Sequence, residues 1–228
     1  MKNKIKPIRS VAFDIDGTLY SNASMYRVTT LHVLRHLRLF RAFGHARKQV
    51  RREYPVTDLA ARTTELTAQE LGWDVPRTRE RIQTVIYTEW ERLLGSVKLY
   101  PGVRDFIIRL RSNGIPTAAM SDFPTEGKLK LLGLDGLWDV SFSSEETQYL
   151  KPRREPFDRL VRELACPAET ILYVGNSYTY DVIGAKEAGM CAAHLTRRPP
   201  RDSRADFSFF HYRELENWLE PRLVPREI

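Results

Sequence analysis

Apolar and polar positions follow three different patterns along the chain. Residues 8–19 are apolar and β-branched until two acids and Gly17 interrupt them, which predicts a buried strand ending in a turn. Residues 20–98 contain no strand-like run. Leu31, Leu34 and Leu37 with Val33 and Phe40, and later Ile82, Val85, Ile86, Trp90, Leu93 and Leu94, recur at helical spacing. Each set predicts a helix that lays one apolar face on a partner helix. Pro55, the stretch 72–76 and Gly95 break this region into several antiparallel helices.

From Tyr100 onward, strand and helix patterns alternate. Pro101-Gly102 opens a helix with Val103, Phe106, Ile107 and Leu110 on its apolar face, and Asn113-Gly114 closes it. Strands are predicted at 115–120, 139–142, 171–174 and 191–195, with a further edge strand at 207–210. Helices are predicted at 124–132, 156–165, 180–188 and 212–219. Such alternation predicts an α/β fold, a doubly wound parallel sheet with helices on both faces. Ligands of such sheets bind at the carboxyl ends of the strands, and the helical insertion would sit above that edge.

The chain has 228 residues, 42% hydrophobic and 29% charged, enough to bury a core of one or two domains and too apolar for disorder. No apolar run is long enough to span a membrane. The basic N-terminus lacks the apolar core and cleavage site of a signal peptide, so a cytoplasmic protein is expected. Cys166 and Cys191 are too few for a disulfide framework or a metal knot. Most of the formal charge of +7 falls on residues 20–98, which hold fourteen Lys and Arg against eight Asp and Glu. Nucleic-acid binding is one reading of that charge. The arginines are interleaved with acids, as in Arg77-Thr78-Arg79-Glu80-Arg81, and no nucleic-acid motif is present, so solvated faces are the better reading.

Four polar clusters end successive predicted strands. Asp14 and Asp16 can splay around one reaction centre, or simply form a strand-ending turn. Ser121-Asp122 can bind an oxyanion with free backbone amides, or cap the following helix. Lys151, before Pro152, is a compact charge suited to neutralising a phosphate or a carboxylate if it reaches the same edge, and otherwise an ordinary surface lysine. Gly175-Asn176-Ser177-Tyr178-Thr179-Tyr180-Asp181 offers a neutral and an anionic oxygen for a hard cation. Asp181 could equally be an ordinary first-turn acid.

Taken together, Phe13-Asp14-Ile15-Asp16-Gly17-Thr18-Leu19, Ser121-Asp122, Lys151-Pro152 and residues 175–181 resemble the four motifs of the haloacid dehalogenase superfamily, in its phosphatase-like members with a helical cap. The resemblance implies a Rossmann-like core of residues 1–19 and 99–228 and a cap of residues 20–98. It implies that Asp14 is the nucleophile forming an aspartyl-phosphate and that Asp16 is the general acid and base. Ser121 and Lys151 would hold phosphate oxygens. Magnesium would be held by Asp14, the backbone carbonyl of Asp16, Asp181 and Asn176. Relatives usually carry an acid where this chain has Asn176, which predicts weaker magnesium binding with activity retained.

The expected activity is therefore magnesium-dependent hydrolysis of a small phosphorylated metabolite. A phosphomutase shares the same nucleophile and acid/base. A dehalogenase of this fold needs neither magnesium nor Asp16. Phosphonate cleavage would need a Schiff-base lysine in the cap, where Lys48 and Lys98 have no suitable context. A non-catalytic binder of nucleic acid or protein is the reading from another class. Arg27, Arg35 or Arg47 are candidates to meet a second anionic group of the substrate. Tyr20 and Asn22 are candidate hinge or substrate contacts, and Tyr178 and Tyr180 can pack, hydrogen-bond or touch substrate. Nothing in the sequence sets the oligomeric state.

Overall fold

The computed structural model describes residues 7–225, so the sequence reading of the basic segment ahead of Pro7 falls outside the described residues. The chain enters through β1 (Ser10–Phe13), all four residues of which are buried. It then rises into the cap: α1 (Asn22–Arg35), α2 (Leu37–Val50), α3 (Leu59–Leu71), α4 (Val75–Arg81), a π-helical stretch Ile82–Glu89, and α5 (Trp90–Leu93). Short polar side chains start three of these helices by accepting an otherwise unpaired backbone N–H: Ser21 from Ser24, Asp58 from Ala61 and Asp74 from Arg77. An antiparallel bridge between Tyr20 and Leu99 forms the neck where the chain leaves and rejoins the core.

The cap interior is built mainly on α2. Leu39, Ala42 and Phe43 pack on Leu71, Ile82, Val85 and Ile86, while Ala46 and Val50 pack on Leu59 and Leu66. The stripe of Leu31, Leu34 and Leu37 differs from expectation: these residues are 62%, 60% and 43% exposed. The helix breaks at His36. The inward face of α1 is instead set by Thr29, which is buried, and by Met25 and Val28, which pack on the core beside the neck. Those residues share a helical face that points away from the leucine stripe.

Beyond the neck come α6 (Val103–Ser112), β2 (Thr117–Ser121), α7 (Glu126–Leu131), β3 (Val140–Ser143), α8 (Arg154–Leu164) and β4 (Ile171–Gly175). A short π-helical turn, Tyr178–Val182, leads into α9 (Ile183–Glu187), β5 (Cys191–Leu195), β6 (Phe207–Phe209) and α10 (Tyr212–Leu219). The six strands form one parallel sheet in the order β3-β2-β1-β4-β5-β6. The expected edge strand is therefore present as β6.

Alternation along each strand divides the core between the two faces. Val11, Phe13, Leu172 and Val174 join Phe106, Ile107, Leu110 and Leu215 on one side. Ala12, Ile171 and Tyr173 join Phe157, Leu160, Val182 and Ala185 on the other. After β3 the chain crosses back over β1 to lay down β4. The carboxyl ends of β1 and β4 thus flank the switch point at which such sheets bind ligands.

Candidate active site at the carboxyl ends of the strands

Asp14 follows β1 directly. The turn after it depends on Gly17, whose φ of +88° suits glycine and where a Cβ would come within 2.4 Å of the Asn176 side chain. This close approach lets the loops after β1 and β4 touch. Thr18 Oγ lies 2.7 Å from Asp14 Oδ2 and 3.2 Å from Asn176 Oδ1. Gly175 makes a comparable approach, since a Cβ there would meet the Asp181 side chain at 2.3 Å.

The four clusters meet. Lys151 Nζ donates to Asp14 Oδ1 at 2.7 Å, to Asp181 Oδ1 at 2.6 Å and to the Tyr173 hydroxyl at 3.2 Å, and all four residues are buried. The other oxygen of Asp181 accepts the Ser177 amide at 2.9 Å. Burial opposes the charge of Lys151, but Asp14 and Asp181 outweigh it and hold the ammonium firmly protonated. Burial pushes the Asp14 carboxyl up; Lys151 opposes the rise, while the charges of Asp181 and Asp16 add to it. One ammonium shared by two buried carboxylates leaves Asp14 incompletely neutralised.

Asp16 belongs to a second constellation. Its Oδ2 accepts from Ser121 Oγ at 2.7 Å and from Lys128 Nζ at 2.6 Å, and its Oδ1 accepts the Tyr20 hydroxyl. Burial works against its ionisation, but the Lys128 charge and these three donors prevail, so Asp16 is held below the usual carboxylate range. Ser121 Oγ also accepts the Phe123 amide at 3.1 Å, which holds the loop after β2, while the following helix starts after Thr125 without a side-chain cap, so Ser121 does not cap it.

Lys128 and Arg51 are the site residues that sequence reasoning missed. Lys128 is 1% exposed on α7, where its spacing of four from Leu132 was the available signal. Arg51, at the end of α2, pairs with Asp122 and donates to Lys151 O at 3.0 Å. Asp122 further accepts Ser144 Oγ at 2.6 Å and the Lys151 amide at 3.1 Å, so it orients the lysine loop.

Of the three candidate cap arginines, Arg27 and Arg35 are exposed. Arg47 is buried over the Phe123 ring and is paired with Glu145, which also accepts the Tyr87 hydroxyl at 2.8 Å. Tyr20 is fully buried and touches Asp16, while Asn22 lies beside Gly17. Tyr180 stacks under Arg51, and Tyr178 accepts the Arg204 amide at 3.0 Å. A cavity of about 750 Å³ lies between cap and core, with Tyr87, Glu91 and Glu145 in its walls, but none of Asp14, Asp16, Ser121 or Lys151 lines it. Asp14 is only 5% exposed.

A family model for haloacid dehalogenase-like hydrolases matches residues 8–189. The chain belongs to that family of hydrolases. Similar curated proteins include the pyrophosphatase PpaX of Halalkalibacterium halodurans, 27% identical over 82% of this chain and 82% of that protein. A glyceraldehyde 3-phosphate phosphatase of Methanothermobacter thermautotrophicus is 27% identical over 81% and 84% of the two chains. A phosphoglycolate phosphatase of Yersinia pestis is 29% identical over 85% and 83%. Two solved structures share the fold. The phosphatase of this family from Thermococcus onnurineus has a TM-score of 0.62 and 22% identity over 95% of this chain and 100% of that one. The L-2-haloacid dehalogenase of Xanthobacter autotrophicus has a TM-score of 0.64 and 18% identity over 93% and 98%.

Proposed function

We propose that this hydrolase is a magnesium-dependent phosphatase acting on a small phosphate monoester, with residues 20–98 as its cap and the cytoplasm as its setting. The observation that carries this reading is the pairing of two buried lysines with two separate carboxylates, Lys151 with Asp14 and Lys128 with Asp16. Such a site offers a nucleophile, a second proton-handling group and two cations for an incoming phosphate.

In this reading the Asp14 carboxylate attacks phosphorus, the bond to the alcohol oxygen breaks, and Asp16 gives that oxygen its proton. Water then attacks the aspartyl-phosphate, its proton passes to Asp16, and Asp14 and inorganic phosphate are released. Lys151 and Ser121 hold phosphate oxygens. An arriving phosphate competes with Asp16 for the Ser121 hydroxyl and the Lys128 ammonium. Asp16, freed of two of the three donors that hold it ionised, can then carry the proton its first role requires.

The donor set of Asp14, Asp181, Asn176 and the Asp16 carbonyl contains only oxygens, and the incomplete neutralisation of Asp14 favours an added cation, so these residues fit magnesium. When bound, the ion would offset charge between the anionic nucleophile and its anionic target. The related phosphatases and pyrophosphatase support phosphate chemistry, and Asp16, which dehalogenation does not need, argues the same way.

The test is a screen of phosphorylated metabolites with and without magnesium, run beside Asp14→Asn. Magnesium-dependent phosphate release that the variant abolishes supports the reading. Undiminished hydrolysis by the variant overturns it, and product analysis separates hydrolase from mutase.

A further inference from the structure

A cluster of metal-ligating side chains in the cap lies outside the catalytic pocket. His32 and His36 stand one helical turn apart, at the end of α1 and on its C-terminal cap. Glu89 closes the π-helical stretch. One candidate ligand atom from each of the three lies within 4.8 Å of the others, and all three residues are half-buried. None of them takes part in the catalytic network.

The second observation concerns how His32 is held. Its Nε2 lies 3.0 Å from Val85 O. A carbonyl can only accept, so Nε2 carries the proton and the neutral ring keeps a free lone pair on Nδ1. A ring nitrogen bonded to a backbone carbonyl is the arrangement that orients metal-ligating histidines through their outer nitrogen. Val85 O also accepts the Trp90 amide that closes the π-helical turn. One carbonyl therefore fixes both the imidazole and the backbone that presents Glu89, and π-turns recur where a helix serves a functional site. The His32 ring packs edge-on against His36 at 5.1 Å and Phe40 at 5.7 Å. Arg81 reaches His36 Nδ1 at 3.4 Å, a long and weak contact that a bound ion would displace.

We propose that His32, His36 and Glu89 form a second metal site, in the cap, for a borderline divalent transition ion such as Zn2+. Two imidazole nitrogens and one carboxylate suit zinc and leave one position for water. Magnesium prefers oxygen donors and does not compete here. The ion ties the first cap helix to the segment leading back toward Leu99, so it braces both arms that run to the neck.

The test measures Zn2+ binding to the metal-stripped full chain by competition with a chromophoric chelator, in excess Mg2+ to keep the catalytic carboxylates engaged. The expected result is saturable uptake of one Zn2+ per chain. His36→Gln and Glu89→Gln each weaken it at least about tenfold, as loss of a ligand requires. Arg81→Gln, which removes the competing guanidinium, tightens it. Co2+ should give a visible ligand-field spectrum that His36→Gln abolishes while circular dichroism stays unchanged. Uptake unaltered in both ligand variants, or lost in Asp181→Asn instead, overturns the proposal.

Discussion

Lys128 and Asp16 form an ion pair of 2.6 Å in which the ammonium side chain is 2% exposed and the carboxylate 22%. Removing only the cation leaves a largely desolvated carboxylate behind, a loss that typically costs about 3 kcal/mol. Lys128→Met should lower the urea midpoint accordingly, and the double variant Lys128→Met/Asp16→Asn should recover most of that loss. If Lys128 also meets the incoming phosphate, the single variant loses roughly 10²-fold in kcat/KM. A wild-type midpoint for Lys128→Met would show that the pair contributes nothing to stability.

Asp14→Asn keeps an oxygen for Lys151 and an amide that Thr18 Oγ can accept, so the fold should survive. In the proposed mechanism turnover should fall by about 10³-fold or more, because the amide cannot form the covalent intermediate. Steady-state kinetics beside circular dichroism separate a lost nucleophile from a lost fold.

Asn176→Asp restores an anionic oxygen next to Thr18 and the turn at Gly17. Half-saturation of activity by magnesium should drop roughly tenfold, the effect of one added hard anionic ligand. An unchanged magnesium titration removes the metal role proposed for this position.

Asp122 supplies a pH signature. Burial would raise its carboxyl, but Lys151, Arg51 and Arg47 and the Ser144 hydroxyl hold it at about 2 rather than 3.8. A depressed folded value stabilises the protein above the unfolded one, and the benefit fades as pH falls from about 4 toward 2. At neutral pH it is on the order of 2 kcal/mol. Asp122→Asn should therefore lose that much at pH 7, and the gap to wild type should narrow by roughly half at pH 3. Urea titrations at the two pH values decide it; a gap independent of pH would mean that the ionised form is not what matters.

Two of the motifs were legible because each follows a strand whose apolar run is unmistakable: Asp14 after Val11–Ala12–Phe13, Asn176 after Ile171–Gly175, whereas Lys151 stands beyond β3 and a short helical turn. Register then carried them to one place. The cap was legible as helices but not in its packing. Leu31, Leu34 and Leu37 have helical spacing, yet the neck contacts of Met25 and Val28 turn α1 the other way. Lys128 escaped for a related reason. A lysine in a short helix reads as solvated, and only the tertiary approach of Asp16 makes burial tolerable. Arg51 has no local signal, because its partner Asp122 lies 71 residues away.

Charged contacts join the cap to the core, alongside the packing of Phe43 and Tyr87 on Phe123. Arg51 bonds Asp122 and Lys151 O, and Arg47 bonds Glu145. Arg51→Ala should loosen the lid, seen as faster proteolysis within residues 51–58 and a KM raised several-fold, the usual result of losing a closing contact. Unchanged proteolysis and KM would assign the closure to other contacts.

Tyr212, at the start of α10, donates its hydroxyl to Thr18 O at 2.8 Å, across 194 residues of sequence. Thr18 in turn touches the Asp14 carboxylate. Helix α10 is thus the backstop of the loop that carries Asp14. Engineering that trims or re-registers α10 reaches the Asp14 carboxylate in two steps, so a tag or fusion is better joined beyond this helix than into it.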